Sequence, residues 1–400
     1  ARSENNMLLS FGLILLSGVL VTRIMKHIGL PPLTGMLLAG ILLGPAVLNW
    51  IDPAMLEISG SIRKIALLVI LIRAGLSLRT EDLIRAGRPA LLLCFVPATC
   101  EILAFLLLGP PMFGLSLLES AILGTVIAAV SPAVVVPGMV TVMKSGYGQD
   151  KAIAPMILAG ASADDIFVIV LFSIFTSMAG QGGFHWQMLL RIPTSIVLGI
   201  LSGILLGILF VRVFHRVRTP VITRLIVFLA TGALLYALED ALTGPVGFSG
   251  LIAVMTTALV AGHLDPPAAR RLGASFDSLW TAAQIFLFTL IGAAIQLTYA
   301  AHALGPSLLL IAAGLLCRSG GVLLCLTGTS LNWKERLFSV VSYLPKATVQ
   351  AAISAIPLSM GLACGQTVLT VAVLAILVTA PLGAAAIDLL YPRLLHKPDA

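Results

Sequence analysis

The segment "APMILAGASADDIFVIVLFSIF", Ala154–Phe175, places two adjacent aspartates inside an apolar run long enough to cross a lipid bilayer. At a rise of about 1.5 Å per residue, Asp164 lies roughly 20 Å into an apolar helix that begins at about residue 151, near the bilayer centre. An ionisable side chain there costs several kcal/mol, so Asp164 and Asp165 need a partner, water or a function. In a soluble protein the same segment would be a core helix with an ordinary buried ion pair, and the composition of the chain decides between the two interpretations.

The composition indicates an integral membrane protein. Of the 400 residues, 59% are hydrophobic and only 10% are charged, whereas a soluble domain has about 25% charged residues. The mean hydropathy is +1.08. Apolar runs of about 20 residues recur along the chain, and no polar stretch is long enough for a soluble domain. We therefore predict one membrane domain over residues 1–400 and no enzymatic activity.

The basic residues are interpreted as orientation signals. A net charge of +7 would suggest nucleic-acid binding in a soluble protein, but here Lys and Arg lie in short loops between apolar runs. We therefore predict the lipid bilayer, and not nucleic acid, as the macromolecular surroundings. The cysteines lie within apolar runs without the spacing of a metal site or a disulfide framework, so we predict no cofactor.

Breaks at Pro, Gly and charged clusters divide the chain into thirteen candidate membrane helices, which predicts an all-α membrane protein. The predicted spans are 7–26, 32–49, 61–78, 88–108, 116–142, 151–179, 188–215, 222–241, 248–264, 277–299, 304–328, 334–360 and 366–390. Lys and Arg are concentrated in alternate connections, whereas the opposite connections contain only Arg2, Arg63, Lys64 and Arg191. Because cytoplasmic loops carry the excess of positive charge, we predict an outside N-terminus and a cytoplasmic C-terminus, in the inner membrane if the source is bacterial.

The second to sixth spans and the ninth to thirteenth spans can be compared as two five-helix units of opposite orientation. The fourth member of each unit is interrupted, by Pro132 and Pro137 in "AAVSPAVVVPG" and by Pro345 in "SYLPKATVQA". Proline removes a backbone donor and frees carbonyls that must face protein or water. A proline kink explains either break alone, but paired breaks at corresponding positions favour two crossing broken helices and a transport site at the midplane.

Three other charged residues of the two units, Glu101, Arg318 and Lys346, are predicted to lie at about the same depth as the aspartates. Carboxylates, hydroxyls and freed carbonyls suit an alkali cation. A cation and a proton would compete for the same carboxylate, and competition at an alternately exposed site is exchange, so the pattern predicts an antiporter. The residues expected to support the ion site are Ser131, Pro132, Ser162, Thr348 and Lys346.

Glu101 and Arg318 occupy the third helix of their respective units, at depths that differ by only about 5 Å. Because a guanidinium keeps its charge and an unpaired charge at the midplane is costly, some acid must accompany Arg318. We predict a structural ion pair between Arg318 and Glu101. The alternative is that Arg318 pairs with Asp164 while Glu101 is protonated.

Five motifs together resemble those of the sodium/proton antiporters of the cation:proton antiporter superfamily, most closely the NHA branch with bacterial and animal members. They are "LPPLTGMLLAGILLGP", "ILIRAGLSL", "AAVSPAVVVPGM", "GASADDI" and "LPKATVQAA". The resemblance spans nearly the whole chain. It implies the NhaA-like antiporter fold and makes Asp165 the essential carrier of Na+ or Li+ and H+, with Asp164 beside it.

The same resemblance implies a homodimer with an elevator-like transport cycle. In that cycle a core domain, about residues 88–179 and 304–390, moves against a dimerisation domain, about residues 7–78 and 222–299. The span at about 188–215 links the two domains.

Two positions depart from the family pattern. Many relatives have Asp where this chain has Ser131, and double-aspartate relatives that move net charge usually have Lys where this chain has Arg318. A buried lysine can release its proton when a cation arrives, whereas a guanidinium cannot. We therefore predict electroneutral exchange.

Other function classes fit the sequence less well. An intramembrane aspartyl protease takes its carboxylates from different helices, and a channel favours a continuous pore with repeated charges. A K+/H+ antiporter and a Na+-coupled symporter of organic solutes both remain as alternatives, because a related broken-helix architecture can serve either.

Overall fold

The computed structural model describes residues 2–77, 80–180, 186–242 and 247–397, and all the regular secondary structure in these residues is helical. The predicted all-α fold is therefore confirmed. The helices are α1 (Arg2–His27), α2 (Pro32–Leu43), α3 (Pro53–Ser77), α4 (Thr80–Leu93), α5 (Val96–Phe113), α6 (Leu117–Ala128), α7 (Pro132–Ser145), α8 (Ile153–Gly180), α9 (Trp186–Arg216), α10 (Val221–Ala241), α11 (Gly250–Leu264), α12 (Pro266–Ala294), α13 (Leu297–Cys325), α14 (Trp333–Ser342), α15 (Thr348–Ile353), α16 (Ile356–Ser359) and α17 (Gly365–Leu394).

Within the described ranges, nine helical segments are long and apolar enough to cross a membrane. Shorter apolar helices add to them: α2, α11 and the pair α15 and α16. The chain is a multi-pass membrane protein. The total of thirteen spans stays a prediction.

Two of the predicted spans are interrupted where the prolines indicated. α6 ends at Ala128 and α7 begins at Pro132. α14 ends at Ser342 and α15 begins at Thr348. The residues between these helices form the first break (129–131) and the second break (343–347). The N–H of Ser131 donates to the carbonyl of Pro345 at 2.8 Å, so the two breaks touch.

The chain forms two compact units, one of residues 1–60, 81–168 and 285–400, and the other of residues 61–80 and 169–284. In the second unit, glycines bring α9 against α11. A Cβ on Gly199 would lie 2.9 Å from the carbonyl oxygen of Ser249, and a Cβ on Gly207 would lie 2.9 Å from that of Thr257. Small residues at this spacing permit close contact of membrane helices.

In the first unit, glycines bring α13 against α5. A Cβ on Gly314 would lie 2.6 Å from the ring of Phe105, and a Cβ on Gly321 would lie 2.8 Å from the Cα of Pro97. α13 therefore packs closely on α5 on both sides of Arg318, against a side chain at Gly314 and against the backbone at Gly321. This packing places Arg318 of α13 directly opposite Glu101 of α5.

Some helices differ in extent from the predicted spans. The span predicted over 88–108 is divided, because α4 ends at Leu93 and α5 begins at Val96 with Pro97 in its first turn. A proline is well tolerated in the first turn, where its missing N–H has no helical partner. Pro97 was the available signal for this division.

Two helices begin earlier than the spans predicted at 61–78 and 277–299. α3 and α12 each follow an aspartate whose Oδ1 accepts a backbone N–H of the first turn, Asp52 at 2.8 Å and Asp265 at 3.1 Å. Such capping stabilises a helix start outside the apolar run. Both spans were predicted to begin after the polar and charged residues, whereas the helices already include these residues.

Candidate ion-binding site

Asp164 and Asp165 lie near the middle of α8, and both side chains are buried, at 0% and 6% exposure. Gly160, one turn earlier, lets other helices approach α8 at this point. A Cβ on Gly160 would lie 2.7 Å from the Cβ of Leu93 and would collide with the hydroxyl of Tyr343. The small residues before the aspartates therefore bring the second break close to α8.

Asp164 binds the first break and a buried arginine through a single oxygen. Its Oδ2 accepts the N–H of Val130 at 2.8 Å and Nη2 of Arg318 at 3.0 Å. Its Oδ1 has no hydrogen-bond partner among the described residues. Asp164 therefore accepts a hydrogen bond from a backbone N–H of the first break and also balances the positive charge of Arg318.

Arg318 joins both breaks to α5. Its Nε donates to the carbonyl of Tyr343 at 2.6 Å, and Nη1 donates to Oε2 of Glu101 at 3.0 Å and to the carbonyl of Ala128. Its guanidinium carbon lies 5.5 Å from the centre of the Tyr343 ring. The two partners that the sequence analysis treated as alternatives, Glu101 and Asp164, are thus both in contact with Arg318.

Lys346, in the second break, is also fully buried. Its Nζ donates to Oε2 of Glu101 at 2.6 Å, and its backbone N–H donates to Oγ1 of Thr379 at 2.8 Å. One carboxylate oxygen of Glu101 therefore receives both an ammonium and a guanidinium. This contact gives Lys346 a partner that the sequence analysis did not assign to it.

Gln350, in α15, was missed by the sequence analysis. Its side chain is fully buried and makes three hydrogen bonds to backbone groups of both breaks and of α6. A buried amide inside an apolar segment was the available signal, since such a group requires partners.

Asp165 differs from these residues because it forms no ion pair within the described part of the chain, where its buried Oδ1 has no hydrogen-bond partner. Two hydroxyl oxygens at the breaks, Oγ of Ser131 and Oγ1 of Thr348, are also buried without a hydrogen-bond partner among the described residues. Pro132 is the first residue of α7. The side chain of Ser162 lies outside the described residues.

The charges of the site do not cancel. Glu101, Asp164 and Asp165 are three acids, and Arg318 and Lys346 are two bases, so the ionised cluster carries one net negative charge. Among the described residues, the ion pairs of these acids involve only Glu101 and Asp164. With all five groups ionised, the excess charge therefore belongs to Asp165. No cluster of three His, Cys, Asp or Glu suited to a metal ion occurs in the searched, described residues.

Comparisons with known proteins identify the family of this chain. The family described as "Sodium/hydrogen exchanger, transmembrane" matches residues 12–389. Sodium/hydrogen exchanger 9B2 of Mus musculus is 34% identical over 380 residues, which cover 92% of this chain and 69% of that protein. Sodium/hydrogen exchanger 9B1 of Homo sapiens is 30% identical over 382 residues, which cover 92% of this chain and 73% of that protein.

A solved structure shares the fold. The sodium proton antiporter MjNhaP1 of Methanocaldococcus jannaschii superimposes with a TM-score of 0.82 at 22% identity, over 97% of this chain and 99% of that chain.

Proposed function

This chain belongs to the transmembrane sodium/hydrogen exchanger family, and we propose that it exchanges Na+ or Li+ for H+ with Asp165 as the carrier. Members of this family are cation/proton antiporters, so the protein is a transporter and not an enzyme. The choice of cation, the carrier residue and the mechanism are our proposals.

The observation that carries the proposal is the difference in bonding between Asp165 and every other charged residue of the site. Glu101, Asp164, Arg318 and Lys346 bind one another. Asp165 is buried beside them without an ionic partner in the described residues. Because a carboxylate in such a place is costly when it is charged, a proton or a cation stabilises it. The two ligands compete for one group, which couples their movements.

Alternating access follows from the same cost. With Asp165 protonated or bound to a cation, the cluster is neutral overall and can cross the membrane. With Asp165 empty, the cluster carries a net negative charge, and its transfer is opposed by several kcal/mol. The protein therefore exchanges its ligands and does not leak them. We assign the movement to a core domain of about 88–179 and 304–390 in an elevator-like cycle.

We also propose how the protein assembles and how it is oriented in the membrane. The core moves against a dimerisation domain of about 7–78 and 222–299 in a homodimer, with the helix of about 188–215 as the linker. The N-terminus is outside and the C-terminus is cytoplasmic, as the distribution of Lys and Arg favours.

The charge sum supports electroneutral exchange. One proton or one monovalent cation neutralises Asp165, and the cluster then has the same charge in both loaded forms. Arg318 cannot release a proton, and the ammonium of Lys346 is held by the carboxylate of Glu101, so we assign neither base a change in that count. Each cycle therefore moves one cation in one direction and one proton in the other.

Dequenching of a pH-sensitive dye in proteoliposomes tests the proposed function. After an inside-acid gradient is formed, Na+ or Li+ added outside should dissipate it, and K+ should do so more weakly. A response to K+ alone would replace this proposal with K+/H+ antiport. No response to any of these cations, with Na+-dependent uptake of an organic solute, would replace it with symport.

A further inference from the structure

Gln350 connects the two broken helices through one uncharged side chain. Its Oε1 accepts the N–H of Ala347 at 2.7 Å, and its Nε2 donates to the carbonyls of Ile127 at 3.1 Å and Ala129 at 2.7 Å. Ala347 immediately precedes α15, and the two carbonyls lie at the end of α6. The side chain is completely buried. All the polar hydrogens of this amide are therefore used on backbone groups.

These backbone groups are ones that a helix cannot satisfy by itself. The last carbonyls of a helix and its first N–H groups have no partner within the helix. At the end of α6, Gln350 binds the carbonyls of Ile127 and Ala129, and Arg318 binds the carbonyl of Ala128 between them. The amide orientation is fixed, because the reverse orientation would direct its oxygen at two acceptors.

The same contacts hold the backbone that binds Asp164. Val130 follows Ala129 directly, and its N–H donates to Oδ2 of Asp164. The next residue, Ser131, donates its N–H to the carbonyl of Pro345 in the second break. Gln350 therefore holds the residue before the Asp164 contact, and loss of its hydrogen bonds would loosen the N–H of Val130.

We propose that Gln350 is a positioning residue for the exchange, which fixes the end of α6 to the start of α15 so that Asp164 stays bonded and Asp165 stays free. This inference rests on the proposed function. An uncharged amide is required here. A carboxylate would add a second negative charge to the cluster, and a basic side chain would cancel the single charge that binds the cation.

Two substitutions separate hydrogen bonding from side-chain shape. Gln350→Met keeps the length but removes all three hydrogen bonds, so the apparent KM for Na+ should rise about tenfold at every pH, as expected when about 1.4 kcal/mol is lost. Gln350→Glu keeps the shape. Burial opposes ionisation of the introduced carboxyl. At about pH 6 it is therefore protonated and can donate to the carbonyl of Ala129, whereas at about pH 9 it is ionised and faces two carbonyls without a proton.

The rate of Gln350→Glu should therefore be within about threefold of the native rate at about pH 6 and at least about tenfold below it at about pH 9, where the buried carboxyl has lost its proton. A purely structural role would reduce the rate by the same factor at both pH values. Gln366→Met is the matched control, because Nε2 of Gln366 is buried without a hydrogen-bond partner in the described residues. It should exchange ions at the native rate with the native KM.

The experiment is dye dequenching at a series of Na+ concentrations and pH values for the native protein and all three variants. An unchanged KM in Gln350→Met, or a ratio of Gln350→Glu to native rate that does not fall as the pH rises, would overturn the assignment of Gln350. If Gln350→Met does not fold, the pH ratio of Gln350→Glu decides. Absence of exchange in the native protein would instead refute the proposed function, and the role of Gln350 with it.

Discussion

Asp164 and Asp165 are neighbours on α8 with nearly the same burial, yet their surroundings differ. Asp164 binds a free N–H of the first break and the guanidinium of Arg318. Asp165 has no ion pair among the described residues, and in the same residues Oδ1 of either aspartate has no hydrogen-bond partner. Adjacent positions on a helix point about 100° apart, so one carboxylate can face the crossing while the other faces elsewhere. Burial alone therefore does not identify the carrier. The ion pairs distinguish Asp164, which holds the site together, from Asp165, which we propose as the carrier.

The largest effect should follow from Asp165→Asn. The amide cannot be ionised, so the variant loses the single charge for which proton and cation compete, and dequenching should fall to background. The melting temperature should stay near the native value, because Asp165 makes no ion pair in the described residues. Near-normal Na+-driven proton movement would remove Asp165 as the carrier.

Asp164→Asn should affect both properties and thereby sharpen the contrast. The variant loses the charge opposite Arg318, and breaking a buried ion pair costs about 3 to 5 kcal/mol. Exchange should be severely impaired as well. The measurement is thermal unfolding in detergent alongside dequenching. A variant as stable as the native protein would show that Glu101 alone can balance Arg318.

Lys346→Met should have a moderate effect on stability. It removes the ammonium from Glu101 but leaves Arg318 on the same carboxylate oxygen. A hydrogen bond to a charged group contributes about 2 kcal/mol, so thermal stability should decrease together with activity. Lost transport at an unchanged melting temperature would instead make Lys346 a direct participant in ion binding.

The smallest effect should come from an exposed ion pair, which serves as a baseline for the buried ones. Arg73 binds Asp277 with side-chain exposures of 37% and 56%. Exposed pairs contribute about 0 to 1 kcal/mol, so Arg73→Ala should change stability by no more than this. Exchange should be unchanged. A large loss of exchange would place Arg73 on the ion path.

Much of the fold could be predicted because prolines and charged residues are easy to recognise within long apolar runs. Pro132 and Pro345 indicated the two breaks, which the structure contains, and the match over residues 12–389 confirms the family resemblance. The predicted ranges of the core, dimerisation and linker parts stay predictions.

The details of bonding could not be read from residue types. A guanidinium has five donors, so Arg318 can bind Glu101 and Asp164 together, whereas depth along a helix suggested a choice between them. Gln350 carries no charge, so the charge pattern of the sequence did not indicate it. Its role depends on backbone groups that become unpaired only when two helices break at the same place.

The most direct test of the account is solid-supported-membrane electrophysiology on the native protein, with dequenching on the same proteoliposomes. The ionised cluster carries one net negative charge, so one proton should cross for each cation. We therefore expect robust Na+-driven proton exchange with almost no Na+-induced steady charge movement. Large steady charge translocation during that exchange would contradict it, because more than one proton would then cross for each cation.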